Sequence, residues 1–190
     1  IHGSLEGPRP GRSYVFGVDL AKFHDYTVLV GVDYGTRRVV AFDRFSGLDW
    51  VIQKQRMSKV LREYNNARAW LDVTSSGSDA ILEDLQREGL AVEGFHMSAP
   101  AKRNLVDGLA VALEQERIRF PHIEQMVLEL KTYQYTPTKA GNLKAGAPEG
   151  NYYDDCVIAL ALALHGLDQG GTPLAKAPVE YFGMGYRQHA

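Results

Sequence analysis

The segment NYYDDCVIALALAL, from Asn151 to Leu164, constrains the fold more than any other part of the chain. Beyond its first few residues, the helix predicted here is apolar on nearly every side. Such a helix has to be buried, so we expect it to lie against a sheet. Its first turn nevertheless carries two adjacent carboxylates, Asp154 and Asp155. The rest of the chain has to explain why these charges stand at the start of a buried helix.

The composition predicts one compact, soluble domain. The chain has 190 residues, 45% of them hydrophobic, which is enough for one core and too few for two domains. Its longest apolar run, Cys156 to Leu164, falls well short of the roughly 18 residues that span a bilayer, so we expect no membrane association. The formal net charge of −2 excludes a cationic field around the whole molecule. Nucleic acid would therefore have to bind to a local patch.

The spacing of apolar residues predicts three antiparallel strands followed by alternating helices and strands. Turn residues from Asp33 to Thr36 separate the second strand from the third, and Asp49 is predicted to cap the first helix. The predicted strands are, in order, YVFGVDLA, YTVLVGVD, RRVVAFDRF, ARAWLDVT and VEGFHMS. The predicted helices are DWVIQKQRMSKVLREYN, SGSDAILEDLQREG, AKRNLVDGLAVALEQE, IEQMVLELKTY and a last one that begins near Tyr153. This order predicts an α/β fold: a mixed sheet of three antiparallel strands followed by βα units, with helices on both faces.

Both ends of the chain lack this periodicity. Residues 1–12 are rich in Gly, Pro and Ser, as in an interdomain linker or an added leader. Residues 169–190 carry Gly and Pro throughout and are predicted to form a C-terminal tail, which either docks through its aromatic residues or stays mobile. The folded domain is therefore predicted to span residues 13–168.

Two further carboxylates stand at the ends of predicted strands. Asp19 ends the apolar first strand, and Asp72 follows Trp70 and Leu71 before a turn into a helix. A crossover helix between these strands implies that they run parallel, and neighbouring strands are about 4.8 Å apart. Since α/β sheets bind ligands at the carboxyl ends of parallel strands, Asp19 and Asp72 are expected to lie side by side there. The buried last helix would bring Asp154 to the same place.

Three carboxylates that meet in this way predict a site for divalent cations. At about 4 Å and an effective dielectric constant near 20, each pair would repel by about 4 kcal/mol. Aspartates and water suit Mg²⁺ or Mn²⁺, whereas one cysteine and six scattered histidines provide no zinc site. Each acid taken alone is also typical of a helix cap or a turn residue. The prediction therefore depends on the three acids together.

Three stretches of the chain carry these acids: FGVDLAKFHDYTVLVGVD, ARAWLDVTSSGSDAILEDL and YYDDCVIALALAL. Together they resemble the acidic motifs of the nuclease domain of phage large terminase subunits, which belongs to the RNase H-like superfamily. The resemblance covers roughly Ser13 to Leu167. It implies an RNase H-like fold and an endonuclease that cuts double-stranded viral DNA during genome packaging.

The resemblance also implies roles for the acids. Asp19, Asp72 and Asp154 match the catalytic metal ligands of the family, and Asp155 is either a further metal ligand or a residue that caps the helix. Asp25 fits the opening motif as well, although a turn residue is the simpler interpretation. In two-metal hydrolysis, with two Mg²⁺ or Mn²⁺ ions when DNA is bound, Asp19 would bridge both ions while Asp72 and Asp154 would each hold one.

The partners that the resemblance implies are those of a packaging motor. They are double-stranded DNA, the terminase ATPase domain, the small terminase subunit and the portal protein, and the implied location is the host cell cytoplasm. The chain has no GxxxxGK[ST] motif of an ATPase. It is therefore expected to be the nuclease half alone, monomeric in isolation.

Five basic residues are predicted to hold DNA by its phosphates rather than its bases. Lys131, Lys139 and Lys144 lie in or next to the aperiodic stretch KTYQYTPTKAGNLKAGAPEG, which is predicted to form a hairpin-like loop over the duplex. Lys102 and Arg103 open an earlier helix. A single basic residue in such a place is more often simply solvated, so this prediction also depends on the group.

Other functions are compatible with the same sequence. A Holliday-junction resolvase or transposase-like nuclease of the same superfamily would use the same acids on another DNA substrate, and a resolvase would be a stable dimer. A non-enzymatic docking module of the packaging motor would show no metal dependence and would bind a partner through Tyr181, Phe182 and Tyr186. A nucleotide-binding domain of the actin-like type is disfavoured, because the chain lacks Gly-rich phosphate loops.

Overall fold

The five predicted strands form one mixed sheet. The computed structural model describes residues 3–21, 25–137, 143–150 and 152–170. Its sheet consists of β1 (Tyr14–Asp19), β2 (Thr27–Asp33), β3 (Arg38–Phe45), β4 (Arg68–Asp72) and β5 (Val92–Phe95). The strand order is β3-β2-β1-β4-β5, with β1 and β3 antiparallel to β2 and with β4 parallel to both β1 and β5. The predicted α/β fold with a mixed sheet is confirmed.

Helices cover both faces of this sheet. They are α1 (Trp50–Glu63), α2 (Ser78–Arg87), α3 (Ala99–Glu114), α4 (Glu124–Thr132) and α5 (Asp155–Gln169). On one face, Phe16 and Leu29 pack in an apolar cluster with α1 and α2. On the other face, Val15, Val28 and Val30 pack with α3, α4 and α5. Side chains that alternate along each strand thus supply two separate cores.

Helix α5 lies buried against the sheet, as its apolar sequence predicts. Its residues from Asp155 to Leu164 are all buried, and it packs on β1, β2 and β4. Gly17 of β1 touches the backbone of this helix, because a β-carbon at Gly17 would collide with backbone atoms of Ala159 and Ala163. This close approach fixes β1, and with it Asp19, relative to α5.

Replacing Gly17 with Ala is expected to lower the free energy of unfolding by about 3 kcal/mol, because the clash is with helix backbone and no side chain can move aside. Urea unfolding followed by circular dichroism measures this change. Gly108→Ala in α3 is the matched control, since a β-carbon there meets nothing within 4 Å. This control should stabilise the protein by up to about 1 kcal/mol. Equal effects of the two substitutions would contradict the close packing of β1 on α5.

A short hairpin stands where the sequence predicts an aperiodic, hairpin-like loop. Strand β6 (Gln134–Pro137) pairs antiparallel with β7 (Leu143–Gly146). Residues 138–142 between them, including Lys139, lie outside the described residues. Because β7 packs against α3, the hairpin lies beside the helix that carries Lys102 and Arg103.

Residues 3–12, which the sequence predicts to be a linker or leader, form neither helix nor strand but are docked on the domain. The amide of Glu6 donates to a carbonyl of β3 at 3.0 Å, and the hydroxyl of Tyr64 donates to the carbonyl of Glu6 at 3.0 Å. The side-chain amide of Asn65 donates to the carbonyls of Arg9 and Arg12. Most of these contacts use backbone atoms, so the residue pattern of the segment does not signal them.

The other end of the described chain is the end of α5. This helix ends at Gln169, next to the predicted domain boundary at residue 168. Residues 171–190 of the predicted tail, with Tyr181, Phe182 and Tyr186, lie outside the described residues. Among the helices that the structure describes, none is both long and apolar enough to cross a membrane.

Candidate metal centre

Asp19 and Asp72 stand at the ends of two neighbouring parallel strands. Strands β1 and β4 pair in a register that sets Val18 beside Leu71, and the two aspartates are the next residues along. Asp72 is oriented by Thr74, whose amide donates to Asp72 Oδ1 at 2.9 Å. The crossover through α1 therefore brings these two acids together at the carboxyl end of the sheet.

The start of α5 adds two more carboxylates. Asp154 occupies the N-cap position and Asp155 is the first residue of the helix. Oδ2 of Asp154 accepts a hydrogen bond from the ammonium group of Lys102 in α3 at 2.7 Å. Asp155 is only 8% exposed and accepts a hydrogen bond from the backbone amide of Tyr26. Its Oδ2 is buried and has no hydrogen-bond partner among the described residues.

Asp19 is the electrostatic centre of these acids. Burial raises the pKa of its carboxyl well above the usual range, and the negative charges of Asp155, Asp72 and Asp154 raise this pKa further. The positive charge of Lys102 lowers it. The charges of the other three carboxylates thus act on Asp19, and a divalent cation beside it would favour its ionised form.

The ionised form of Asp155 is disfavoured in the same way. Burial raises the pKa of its carboxyl to about 7, and the charges of Glu129, Asp25 and Asp154 contribute to this shift. The hydrogen bond from Tyr26 opposes it. Asp25, which the sequence identifies more readily as a turn residue, thus lies close enough to Asp155 to influence its ionisation.

The donor set fits a hard divalent cation. All the groups are carboxylates, and the unpartnered Oδ2 of Asp155 is a buried acceptor that lacks a donor or a cation. Within the described ranges, no three Asp, Glu, His or Cys side chains stand close enough to hold an ion without moving. The like charges of these carboxylates repel one another, and Lys102 holds Asp154 in an ion pair. A bound cation would offset the repulsion and let the carboxylates approach one another.

Two charged residues of this region have no motif that would identify them. Glu129 of α4 is 1% exposed, and its Oε2 accepts a hydrogen bond from the amide of Cys156 at 2.7 Å. Arg44 of β3 has its guanidinium carbon 3.3 Å from the ring centroid of Tyr26. The one signal for Glu129 is a charge three residues after Met126, on the buried side of an amphipathic helix.

The five predicted DNA-binding residues are placed differently. Lys102 is paired with an acid of the centre, whereas Arg103 and Lys131 are exposed. Lys144 belongs to β7, and Lys139 lies outside the described residues. Among Lys102, Arg103 and Lys131, whose side chains the structure describes, Lys102 is the one that contacts an acid of the centre.

The chain is similar to one protein family and to two curated proteins. The sequence model of the family described as "Terminase RNaseH-like domain" matches residues 16–167. The chain is 31% identical over 160 residues to the large terminase subunits of Thermus virus P23-45 and Thermus phage G20c. Each match covers 84% of the chain and 33% of the relative. The chain thus spans about a third of the length of the curated relatives it matches.

Solved nuclease domains are similar to this structure. The large terminase nuclease from thermophilic phage G20c has a TM-score of 0.79 and 28% identity, covering 87% of the chain and 89% of that nuclease. The same nuclease with bound magnesium has a TM-score of 0.79 and 29% identity, covering 89% of both chains. The large terminase nuclease domain of bacteriophage SPP1, solved with bound Mn, has a TM-score of 0.56 and covers 80% of the chain and 85% of that domain. At 16% identity, this last likeness shows the fold alone.

Proposed function

The chain belongs to the terminase RNaseH-like domain family, and on this premise we propose that it is the nuclease part of a phage large terminase subunit. Its proposed substrate is double-stranded viral DNA, which it cuts during genome packaging. The observation that carries the proposal is the convergence of four carboxylates, from β1, β4 and α5, at the carboxyl end of the parallel strands. The similar nuclease of phage G20c, solved with bound magnesium, supports a metal-dependent reaction.

Mg²⁺ or Mn²⁺ is the proposed cofactor, with two ions when DNA is bound. Once bound, the ions would supply the Lewis acidity that activates the attacking water and stabilises the leaving 3′ oxygen. The charges of all three other carboxylates act on Asp19, which would therefore be a central ligand of the bound ions. Asp72 and Asp154 are each proposed to hold one ion, and Asp155 to contribute its unpartnered Oδ2.

The duplex is proposed to bind through its phosphates. Lys102 and Arg103 of α3 lie beside the β6–β7 hairpin, Lys131 lies near the end of α4, and Lys144 belongs to β7. Lys139, which lies outside the described residues, is proposed to join them because it falls between β6 and β7 in the sequence. Cations in these positions would attract the backbone of any duplex without reading its bases. The ATPase domain, the small terminase subunit and the portal protein are the proposed partners, in the host cell cytoplasm, because the curated relatives are large terminase subunits.

Lys102 is proposed to alternate between two anions. Its ammonium group is now bonded to Oδ2 of Asp154, and a divalent cation held by that carboxylate would repel the ammonium group and weaken this bond. When Asp154 acts as a ligand, the ammonium group is released beside Gly146 of the hairpin. A phosphate of the duplex would then be its partner.

Replacing Lys102 with Met is therefore expected to have opposite effects on the two ligands. Binding of Mn²⁺ without DNA should tighten about threefold, because a competitor for Asp154 is lost. Binding of a short duplex should weaken, with its salt slope reduced by about one. Titration calorimetry measures the first effect, and fluorescence anisotropy at several salt concentrations measures the second. Lys59→Met, at an exposed position in α1, is the control; weaker Mn²⁺ binding by Lys102→Met would contradict the alternation.

A plasmid-cleavage assay tests the proposed function. The chain is expected to nick and then linearise supercoiled plasmid with Mn²⁺ or Mg²⁺, and to leave it intact with a chelator. A preference for four-way junctions over a linear duplex, in a chain that elutes as a dimer, would instead indicate a resolvase. Absence of cleavage and of any rise in melting temperature with Mn²⁺ would favour a non-enzymatic docking module.

A further inference from the structure

Helix α5 begins without a cap of its own. Its N-cap residue, Asp154, makes no side-chain hydrogen bond to the helix, because its carboxylate is bonded to Lys102 instead. The first turn of any helix leaves backbone N–H groups without partners in the helix. Since the first residues of α5 are buried, an N–H left without a partner there would carry the full cost of desolvation.

Glu129 of α4 supplies the missing acceptor from a neighbouring helix. Its Oε2 accepts the N–H of Cys156, the second residue of α5, at 2.7 Å. The carboxylate is 1% exposed, so this charged hydrogen bond is shielded from water. A negative charge at this end of a helix also interacts favourably with the helix dipole.

The capping carboxylate of Glu129 is itself held in place. Its Oε1 accepts a hydrogen bond from the side-chain amide of Gln125 at 2.9 Å and lies 3.9 Å from Nη2 of Arg44. The guanidinium group of Arg44 lies over the ring of Tyr26, whose backbone amide is bonded to Asp155. The residues that hold Glu129 therefore also contact the loop that holds an acid of the metal centre.

We propose that Glu129 is a positioning residue of the metal centre: it caps α5 in place of Asp154, so that the carboxylates of Asp154 and Asp155 are both available to ligate a cation. This inference rests on the proposed function, because it needs a metal site at these acids. An Asp at an N-cap position normally turns its side chain onto the helix. Without Glu129, the N–H of Cys156 would lose its acceptor, and the side chain of the N-cap residue Asp154 is the usual replacement. A carboxylate used in this way is lost as a ligand.

Four variants separate this role from a merely structural one. Glu129→Ala removes the cap, and Glu129→Asp keeps the negative charge but is one methylene too short to reach Cys156. Glu129→Gln loses the charge but keeps an oxygen that can accept the N–H. Met126→Ala, at a fully buried position of the same helix, destabilises the protein without touching the acids.

The readouts are Mn²⁺ binding by titration calorimetry without DNA, and the Mn²⁺ concentration that gives half-maximal plasmid cleavage. Glu129→Ala and Glu129→Asp are expected to weaken Mn²⁺ binding about tenfold, the usual effect of removing a group that orients a ligand. Glu129→Gln should restore binding to within about threefold of the original chain. Met126→Ala should lower the melting temperature and leave both readouts unchanged.

Two results would overturn the proposal while leaving the proposed function intact. One is Mn²⁺ binding by Glu129→Asp as tight as that of the original chain, a test that holds even if Glu129→Ala does not fold. The other is a loss of affinity in Met126→Ala as large as that in Glu129→Asp. An original chain that neither binds Mn²⁺ nor cleaves DNA would overturn the proposed function and the positioning role together.

Discussion

Replacing Asp19 with Asn is expected to reduce plasmid cleavage at least about a thousandfold and, at the same time, to stabilise the protein in the absence of divalent ions. Asp19 is the carboxylate on which the charges of Asp72, Asp154 and Asp155 all act, and burial holds its pKa well above the usual range. When folding raises the pKa of an acid, the folded protein loses stability as the pH rises above the pKa that this acid has in the unfolded chain. Asn has nearly the same shape and no charge, so it removes this penalty together with a proposed ligand of the metal ions.

Two measurements on the same samples test this expectation. The first is the rate of plasmid cleavage with saturating Mn²⁺, and the second is the melting temperature at neutral pH with a chelator and with Mn²⁺. In chelator, the Asn variant should have a higher melting temperature than the original chain. Addition of Mn²⁺ should raise the melting temperature of the variant less than that of the original chain. Asp168→Asn is the matched control, because Asp168 is an exposed acid at the opposite end of α5. Cleavage by Asp19→Asn within tenfold of the original rate would remove the centre of the proposed mechanism.

The position of Asp19 beside Asp72 could be predicted because it follows from connectivity alone. A strand, a crossover helix and a second strand give parallel neighbours, and their carboxyl ends must share one edge of the sheet. The place of Asp154 followed from the apolar sequence of α5, since a helix without a polar face can only be buried. These inferences need no side-chain packing, and the observed register of Val18 beside Leu71 agrees with them.

The pairing of Lys102 with Asp154 could not be predicted in the same way. The two residues are 52 positions apart, on helices whose contact depends on how α3 and α5 pack together. The sequence predicts that Lys102 binds a phosphate, whereas its contact with a carboxylate follows only from the three-dimensional structure. The contact of Glu129 with Cys156 could not be predicted either, because one charge on the buried side of a helix does not reveal which N–H group it will accept a hydrogen bond from.

Replacing Asp155 with Asn is expected to reduce cleavage at least about a hundredfold, and it separates the two roles that the sequence left open for this residue. A capping or backbone-fixing role needs only a side-chain oxygen, and Asn is as good an N-cap as Asp. It can also accept the hydrogen bond from Tyr26. As a ligand for a hard divalent cation, the neutral amide oxygen of Asn is much weaker than a carboxylate, because affinity depends on the charge of the ligands.

Three observations favour the role of ligand for Asp155. The N–H of Cys156 is already bonded to Glu129, so α5 does not need Asp155 as a cap. The Oδ2 of Asp155 is buried without a partner among the described residues, a costly arrangement that a cation would relieve. Burial and the charges of Glu129, Asp25 and Asp154 raise its pKa to about 7, so the ionised form is disfavoured without such a cation.

The pH dependence of stability supplies an independent measurement on Asp155→Asn. In chelator, ionisation of Asp155 in the folded protein is disfavoured up to a pH of about 7, whereas in the unfolded chain it ionises near the usual value. The original chain should therefore lose stability relative to the Asn variant as the pH rises from about 4 to 7, and the two should converge at lower pH. Cleavage by Asp155→Asn within threefold of the original rate, with this stability difference present, would assign Asp155 to fixing the backbone. Loss of cleavage in a variant that is more stable at neutral pH would instead assign Asp155 to the metal centre, because instability is then excluded as the cause.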